Sequence, residues 1–251
     1  MVAIKRIDSA LTFLFLLAVA EVAVPGDGLW HPMELEVKIS WTQYLEGVKG
    51  MFGRDNFRQA AFGAATALSL RPLDARVSSG LRRRDENWEV RIPSHLGDNL
   101  YLGLSVAGTY FVGKLSKTRH LSNTSIYLAE ALMTSQAITF IGKTSVGRRR
   151  PNSLNARSFP SGHSSAAFTV ASVLDKRYGS RIGIPAYALA SWIAFSRVRG
   201  SKHYPSDVIA GATLGILTGR GFVRNTSEKT FYRWLPVIGQ GYRGFGIQFW
   251  F

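Results

Sequence analysis

Between residues 40 and 224 the chain is a succession of helix-length segments with apolar periodicity, interrupted chiefly at glycine and proline. The pattern predicts helices over 40–49, 56–69, 100–115, 124–141, 164–178, 184–198 and 205–220, and hence an all-α bundle. Pro205 can open the last helix and Gly221 close it. Along that helix Gly211, Gly215 and Gly219 recur on one face, a smooth stripe against which a second helix backbone can approach closely. Beyond residue 225 the period changes to two. Phe245, Ile247, Phe249 and Phe251 alternate with Gly244, Gly246, Gln248 and Trp250, and Gly239-Gln240-Gly241 can fold this run back on 231–238. The expected organisation is a helical domain over 21–224 and a tail over 225–251 that forms a short β-hairpin.

A chain of 251 residues, 46% of them hydrophobic, can bury one sizeable core. The absence of cysteine excludes disulfides, thiolate metal sites and a cysteine nucleophile. A net charge of +15 favours anionic partners, namely phosphorylated substrates or an anionic membrane surface. Nucleic acid is not expected: there is no zinc-finger spacing, basic heptad helix or paired-aromatic RNA-binding signature. Much of the excess is local, with Lys143, Arg148, Arg149, Arg150, Arg157, Arg197, Arg199 and Lys202 clustered in sequence.

Residues 1–20 resemble an export signal. Lys5 and Arg6 precede an apolar stretch, and Ala18-Val19-Ala20 has the small-x-small form of a cleavage site. The expected location is therefore exported, periplasmic or peripheral to a membrane, with an uncleaved N-terminal anchor as the alternative. The longest uncharged runs, 99–113, 158–174 and 182–196, all fall short of the ~20 apolar residues that span a bilayer. The polar stretch 72–98, with Arg82, Arg83 and Arg84 followed by Asp85 and Glu86, reads as an exposed connection.

Three blocks carry the chemistry. Lys143 is followed by Arg150 and Pro151; Pro160, Ser161, Gly162 and His163 come next; Ser196, Arg197, His203 and Asp207 close the set. Arginines 150 and 197 offer planar donors for the equatorial oxygens of a phosphoryl group, and Lys143 adds a point charge. Ser161 can donate a hydroxyl. The Gly162 N–H is unobstructed and opens a helix whose N-terminus favours an anion. Asp207 lies one helical turn beyond His203, so its carboxylate can accept the ring N–H and leave the other nitrogen free for attack on phosphorus. This inventory requires neither a metal ion nor a cofactor. Ser196 can serve the helix or the phosphate. His31, His95 and His120 read as structural or exposed, and Arg148 and Arg149 as a solvated face outside the site.

The three blocks resemble, position for position, the signature of the type 2 phosphatidic acid phosphatase superfamily. That superfamily includes class A bacterial acid phosphatases, membrane lipid phosphatases and vanadium haloperoxidases. One departure is the short gap of eight residues between Pro151 and Pro160, which bears on pocket shape. The resemblance implies a helical bundle of the acid phosphatase/vanadium haloperoxidase type and hydrolysis of phosphomonoesters, lipid or small and soluble. It further implies His203 as the residue that becomes phosphorylated and His163 as the acid that protonates the leaving oxygen and then activates water. Vanadate-dependent haloperoxidase and a non-catalytic phosphate- or lipid-binding module are the competing readings.

Overall fold

The computed structural model describes residues 41–81, 92, 93, 95, 98–223, 231–239 and 242–250. The expected signal segment, most of the stretch 82–97 and the hairpin's turn residues therefore lie outside the described residues. The helices are α1 (Trp41–Met51), α2 (Arg54–Leu70), α3 (Asp74–Leu81), α4 (Asn99–Leu115), α5 (Arg119–Val146), α6 (Gly162–Tyr178), α7 (Ser180–Arg199) and α8 (Pro205–Phe222). A single 3₁₀ turn, Arg71–Leu73, joins α2 to α3. Strands β1 (Phe231–Gly239) and β2 (Tyr242–Trp250) pair antiparallel, with Phe231 opposite Trp250 and Gly239 opposite Tyr242.

Helix α8 is the axis of the bundle. It contacts α6 most extensively and also packs on α1, α2 and α5. The glycine stripe seen in the sequence is the α6–α8 interface. A Cβ on Gly211 would collide with the Ser161 carbonyl oxygen, and one on Gly215 with that of Ser165. On Gly219 it would meet the Ser172 Cβ at 2.6 Å. Backbone thus touches backbone with no side chain between, and the facing surface of α6 is correspondingly small: Ser161, Ser164, Ser165, Thr169 and Ser172 are all buried. Three of these hydroxyls, those of Ser165, Thr169 and Ser172, are bonded across the interfaces. Ser135 on α5 bonds Ser165, and Thr169 bonds Thr218 at 3.1 Å. The apolar core beside this seam holds Met51, Val106, Tyr127, Leu128, Ala131, Val173 and Phe222.

Three sequence expectations are corrected here. Helix α5 begins at Arg119 rather than near 124, because the polar turn Arg119–Asn123 is held helical by packing that buries His120 against the Tyr178 ring, centroids 5.0 Å apart. The stretch 72–98 does not begin as a connection. It opens with α3, whose first residue, Asp74, is almost fully buried. Helix α8 also continues through Gly221 to Phe222.

Among the described residues no helix is long and apolar enough to cross a membrane. The surface nevertheless carries many large apolar side chains, including Phe52, Phe57, Phe62, Phe140, Ile141, Ile184 and Phe195.

Replacing Gly215 with leucine should drive α6 and α8 apart and cost about 1–3 kcal/mol or more. Chemical denaturation should register the loss, whereas the same change at Gly80, where a Cβ meets nothing within 4 Å, should be far milder.

Candidate active site

The site lies where the C-terminus of α5, the N-terminus of α6 and the α7–α8 connection meet. Lys143 occupies the last turn of α5, which Gly147 ends in the left-handed conformation (φ 56°). The ammonium of Lys143 donates to the carbonyls of Arg157 (3.1 Å) and Pro160 (2.8 Å). With three N–H groups, it keeps one donor for a ligand. Burial, reinforced by the neighbouring Arg150 and Arg197 cations, lowers its pKa to about 8, although Asp207 acts the other way.

Arg150 is half-buried on the loop that follows, which is pinned by its N–H donating to the Asn155 carbonyl at 3.0 Å. Its Nε is buried with no hydrogen-bond partner, as suits a fork held ready for an anion. Arg197, 7% exposed, lies in the last turn of α7. Its carbonyl accepts the N–H of Lys202 and of His203, at 3.0 and 3.2 Å. Ser201, at φ 52°, makes the tight turn that these two bonds require.

The second block forms the start of α6. Ser161 is its N-cap, with Oγ accepting from the Ser164 N–H (3.5 Å) and hydroxyl (3.1 Å), so its own hydroxyl proton remains free to donate. Gly162 follows as the first helical residue. A Cβ there would sit 3.8 Å from the Lys143 Cε and 3.5 Å from Gln136 and Thr139. The protein itself could accommodate a methyl group, so any demand for glycine comes from what binds. His163 is half-buried on the first turn of α6.

His203 is 2% exposed. Its Nδ1 lies 2.6 Å from the Ser158 carbonyl oxygen. A carbonyl can only accept, so Nδ1 carries the proton and Nε2 holds the free lone pair. Burial, then the cations Lys143, Arg150 and Arg197, push its pKa well below the usual imidazole value, with the Ser158 bond acting weakly against them. The ring is therefore neutral at pH 7, and three positive groups from α5, the following loop and α7 all bear on it. Ser196 is resolved: its hydroxyl donates to the Ile193 carbonyl within α7 at 2.7 Å, so it serves the helix.

Asp207 departs from the sequence expectation. Its Oδ2 stands 3.9 Å from the His203 Nδ1, and the ring N–H goes to Ser158 instead. Both carboxylate oxygens are already engaged. Oδ2 accepts from the Ser158 hydroxyl (2.5 Å) and the Tyr204 N–H (2.9 Å), the latter closing the cap of α8; Oδ1 accepts from Arg148 (2.7 Å). Asp207 thus acts on the ring through Ser158. Arg148, set aside by the sequence reading as a solvated face, turns inward, while its neighbour Arg149 is exposed.

A family model described as the PAP2 superfamily matches residues 124–231, which contain all three blocks. A "Lipid A 1-phosphatase" of Rhizobium etli is 30% identical over 180 residues, covering 60% of this chain and 76% of that protein. The chain belongs to the PAP2 superfamily. A "Lipid A 1-phosphatase" of Porphyromonas gingivalis is 39% identical over 205 residues, 80% of this chain, and the match spans 41% of that longer relative. The PAP2 helical fold recurs in the crystal structure of a transmembrane PAP2 type phosphatidylglycerolphosphate phosphatase from Bacillus subtilis. That structure aligns with a TM-score of 0.52 at 23% identity and covers 69% of this chain and 92% of that one.

Because Lys143 loses its proton near pH 8, the affinity of this PAP2 site for inorganic phosphate should fall as the pH rises through that value. Calorimetric titration should detect the decline. Lys143→Arg, which stays charged, should carry binding to higher pH.

Proposed function

We propose that the protein is a metal-independent lipid phosphatase that removes a phosphomonoester group through a phosphohistidine at position 203. The observation that carries this reading is the buried, neutral His203, its tautomer fixed by the Ser158 carbonyl and its environment made cationic by Lys143, Arg150 and Arg197. In this reading the three cations, the Ser161 hydroxyl and the α6 N-terminus bind the equatorial oxygens. The Nε2 lone pair of His203 attacks phosphorus in line, and the P–O ester bond breaks as His163 gives its proton to the leaving oxygen. Neutral His163 then takes a proton from water. The resulting hydroxide attacks phosphorus, the N–P bond breaks, and phosphate leaves with His203 neutral again.

A lipid substrate is supported by two features and by the relatives' names. Large apolar side chains flank the cationic site: Phe140, Ile141 and Val146 precede it on α5, Leu154 lies on the loop, and Phe195 adjoins Ser196. A groove of about 510 Å³, lined by Ala64, Leu68, Val146, Phe159, Leu214 and Leu217, runs between α2 and α8 and can accept an acyl chain. The lipid A 1-phosphatases of R. etli and P. gingivalis make lipid A 1-phosphate the first substrate to test. The exposed apolar residues together with the +15 charge suit work at an anionic bilayer surface, consistent with an exported protein.

The decisive comparison is hydrolysis of lipid A 1-phosphate, a phosphatidic acid, an isoprenyl pyrophosphate and p-nitrophenyl phosphate by the same preparation. The lipid phosphates should be strongly preferred. His203→Ala should lower turnover by about 10³-fold or more, EDTA should leave it unchanged, and orthovanadate should inhibit competitively. Turnover surviving in His203→Ala, or lost in EDTA, would overturn the mechanism. Bromide oxidation by the vanadate-bound protein would overturn the assignment as a phosphatase.

A further inference from the structure

We infer that Arg148 and Asp74 form a positioning device for the nucleophile, tying the active site to a helix that lies outside the segment matched by the PAP2 family model. Asp74 is the first residue of α3 and Arg148 follows the C-cap of α5. The guanidinium spans two buried carboxylates. Nη2 donates to the Asp74 Oδ2 at 2.7 Å, and Nη1 donates to the Asp207 Oδ1 at 2.7 Å and the Ser206 hydroxyl at 2.8 Å. Asp74 in turn accepts from the Ser206 N–H at 3.0 Å and from its hydroxyl. The side chains of Asp74 and Asp207 are 3% and 0% exposed, whereas that of Arg148 is 20% exposed and stacks on Tyr204, 4.2 Å from the ring centroid.

Two routes lead from this cluster to the imidazole. Through its side chain, Arg148 fixes Asp207, which holds the Ser158 hydroxyl; through its backbone, the Arg148 carbonyl accepts the Ser158 N–H at 2.9 Å. Ser158 is therefore gripped at its hydroxyl and N–H by groups that depend on Arg148, and its carbonyl is the acceptor that orients His203. A planar fork can bridge two carboxylates and a hydroxyl at once, which an ammonium cannot match. The cluster also sets charge. Lys143, Arg150 and Arg197 bear on His203, whose Nδ1 lies 3.9 Å from the Asp207 Oδ2, and Arg148 partly neutralises Asp207 while Asp74 partly neutralises Arg148.

The charge arrangement makes opposite predictions for the two members. Arg148→Gln leaves Asp207 less compensated, so the imidazolium is favoured and the His203 pKa rises; Asp74→Asn leaves Arg148 wholly to Asp207, so the His203 pKa falls. Arg148 also lines the groove assigned to the acyl chain, so the kinetics are read with p-nitrophenyl phosphate, which has none. Both variants should lower kcat about tenfold or more with KM changed less than threefold, because only the attack geometry is loosened. The acid limb of the pH–rate profile should move up by about half a unit in Arg148→Gln and down by a similar amount in Asp74→Asn. Arg148→Lys should keep the wild-type acid limb but not the wild-type kcat, and it supplies the test should the glutamine variant fail to fold. The exposed Arg149→Gln should match wild type throughout.

The inference rests on the phosphatase reading for its kinetic arm only. Titration of the His203 ring followed by NMR should reveal the same opposite shifts without turnover, so an inactive wild-type protein would sink the functional reading and still leave the device decided. Wild-type kcat in folded Asp74→Asn and Arg148→Gln, or rate losses with the His203 titration unmoved, would overturn it.

Discussion

The Asp207 carboxylate, with none of its surface exposed, is the point on which the site is hung. A buried anion is tolerable only if its lone pairs are filled and its charge is met. Here Arg148, Ser158 and the Tyr204 N–H fill them, and the main-chain carbonyl of the same residue accepts the Ser161 N–H at 3.0 Å. One residue of α8 therefore fastens the end of α5, the loop before α6 and the cap of α6. The segments that carry the three blocks converge here: Arg148, between Lys143 and Arg150, and the Ser161 N–H of the second block both bond Asp207, which belongs to the third. The cationic character of the pocket follows, since Lys143 and Arg150 flank the Arg148 anchor and Arg197, on α7, is tied through its carbonyl to the His203 N–H.

The α6–α8 seam gives this arrangement its rigidity. Gly211, Gly215 and Gly219 bring two backbones into contact, and the hydroxyls of Ser165, Thr169 and Ser172 beside them are bonded across helices. Such an interface has little freedom to slide, because a shift would set carbonyl against Cα. Ser161 stands at one end of the seam, where the Gly211 contact lies against its carbonyl, so the position of the α6 N-terminus is set by close backbone packing.

Much of this was legible in the order of residues. The helices, the glycine stripe, the hairpin and the three blocks are local or regularly spaced patterns, and local patterns are what a single sequence displays. What could not be read depends on distant partners. Arg148 sits in a run with Arg149 and Arg150, and nothing in that run tells which guanidinium meets carboxylates and which meets water. Asp74 lies at the edge of a polar stretch, and its burial follows from Ser206 and Arg148, far along the chain. The separation of His203 and Asp207 by four residues suggested direct contact on spacing alone. The structure interposes Ser158, because a residue just before a helix does not share the face that i and i+4 share within one.

The acceptor that fixes the imidazole is part of the main chain, and that has an evolutionary corollary. Every codon at position 158 encodes a carbonyl, so genetic drift at that site can erase the hydroxyl but never the group that dictates which ring nitrogen stays bare. The tautomer of His203 is thereby shielded from point substitution at its own partner, and lineages of such proteins can lose the hydroxyl at 158 while inheriting the same bare ring nitrogen.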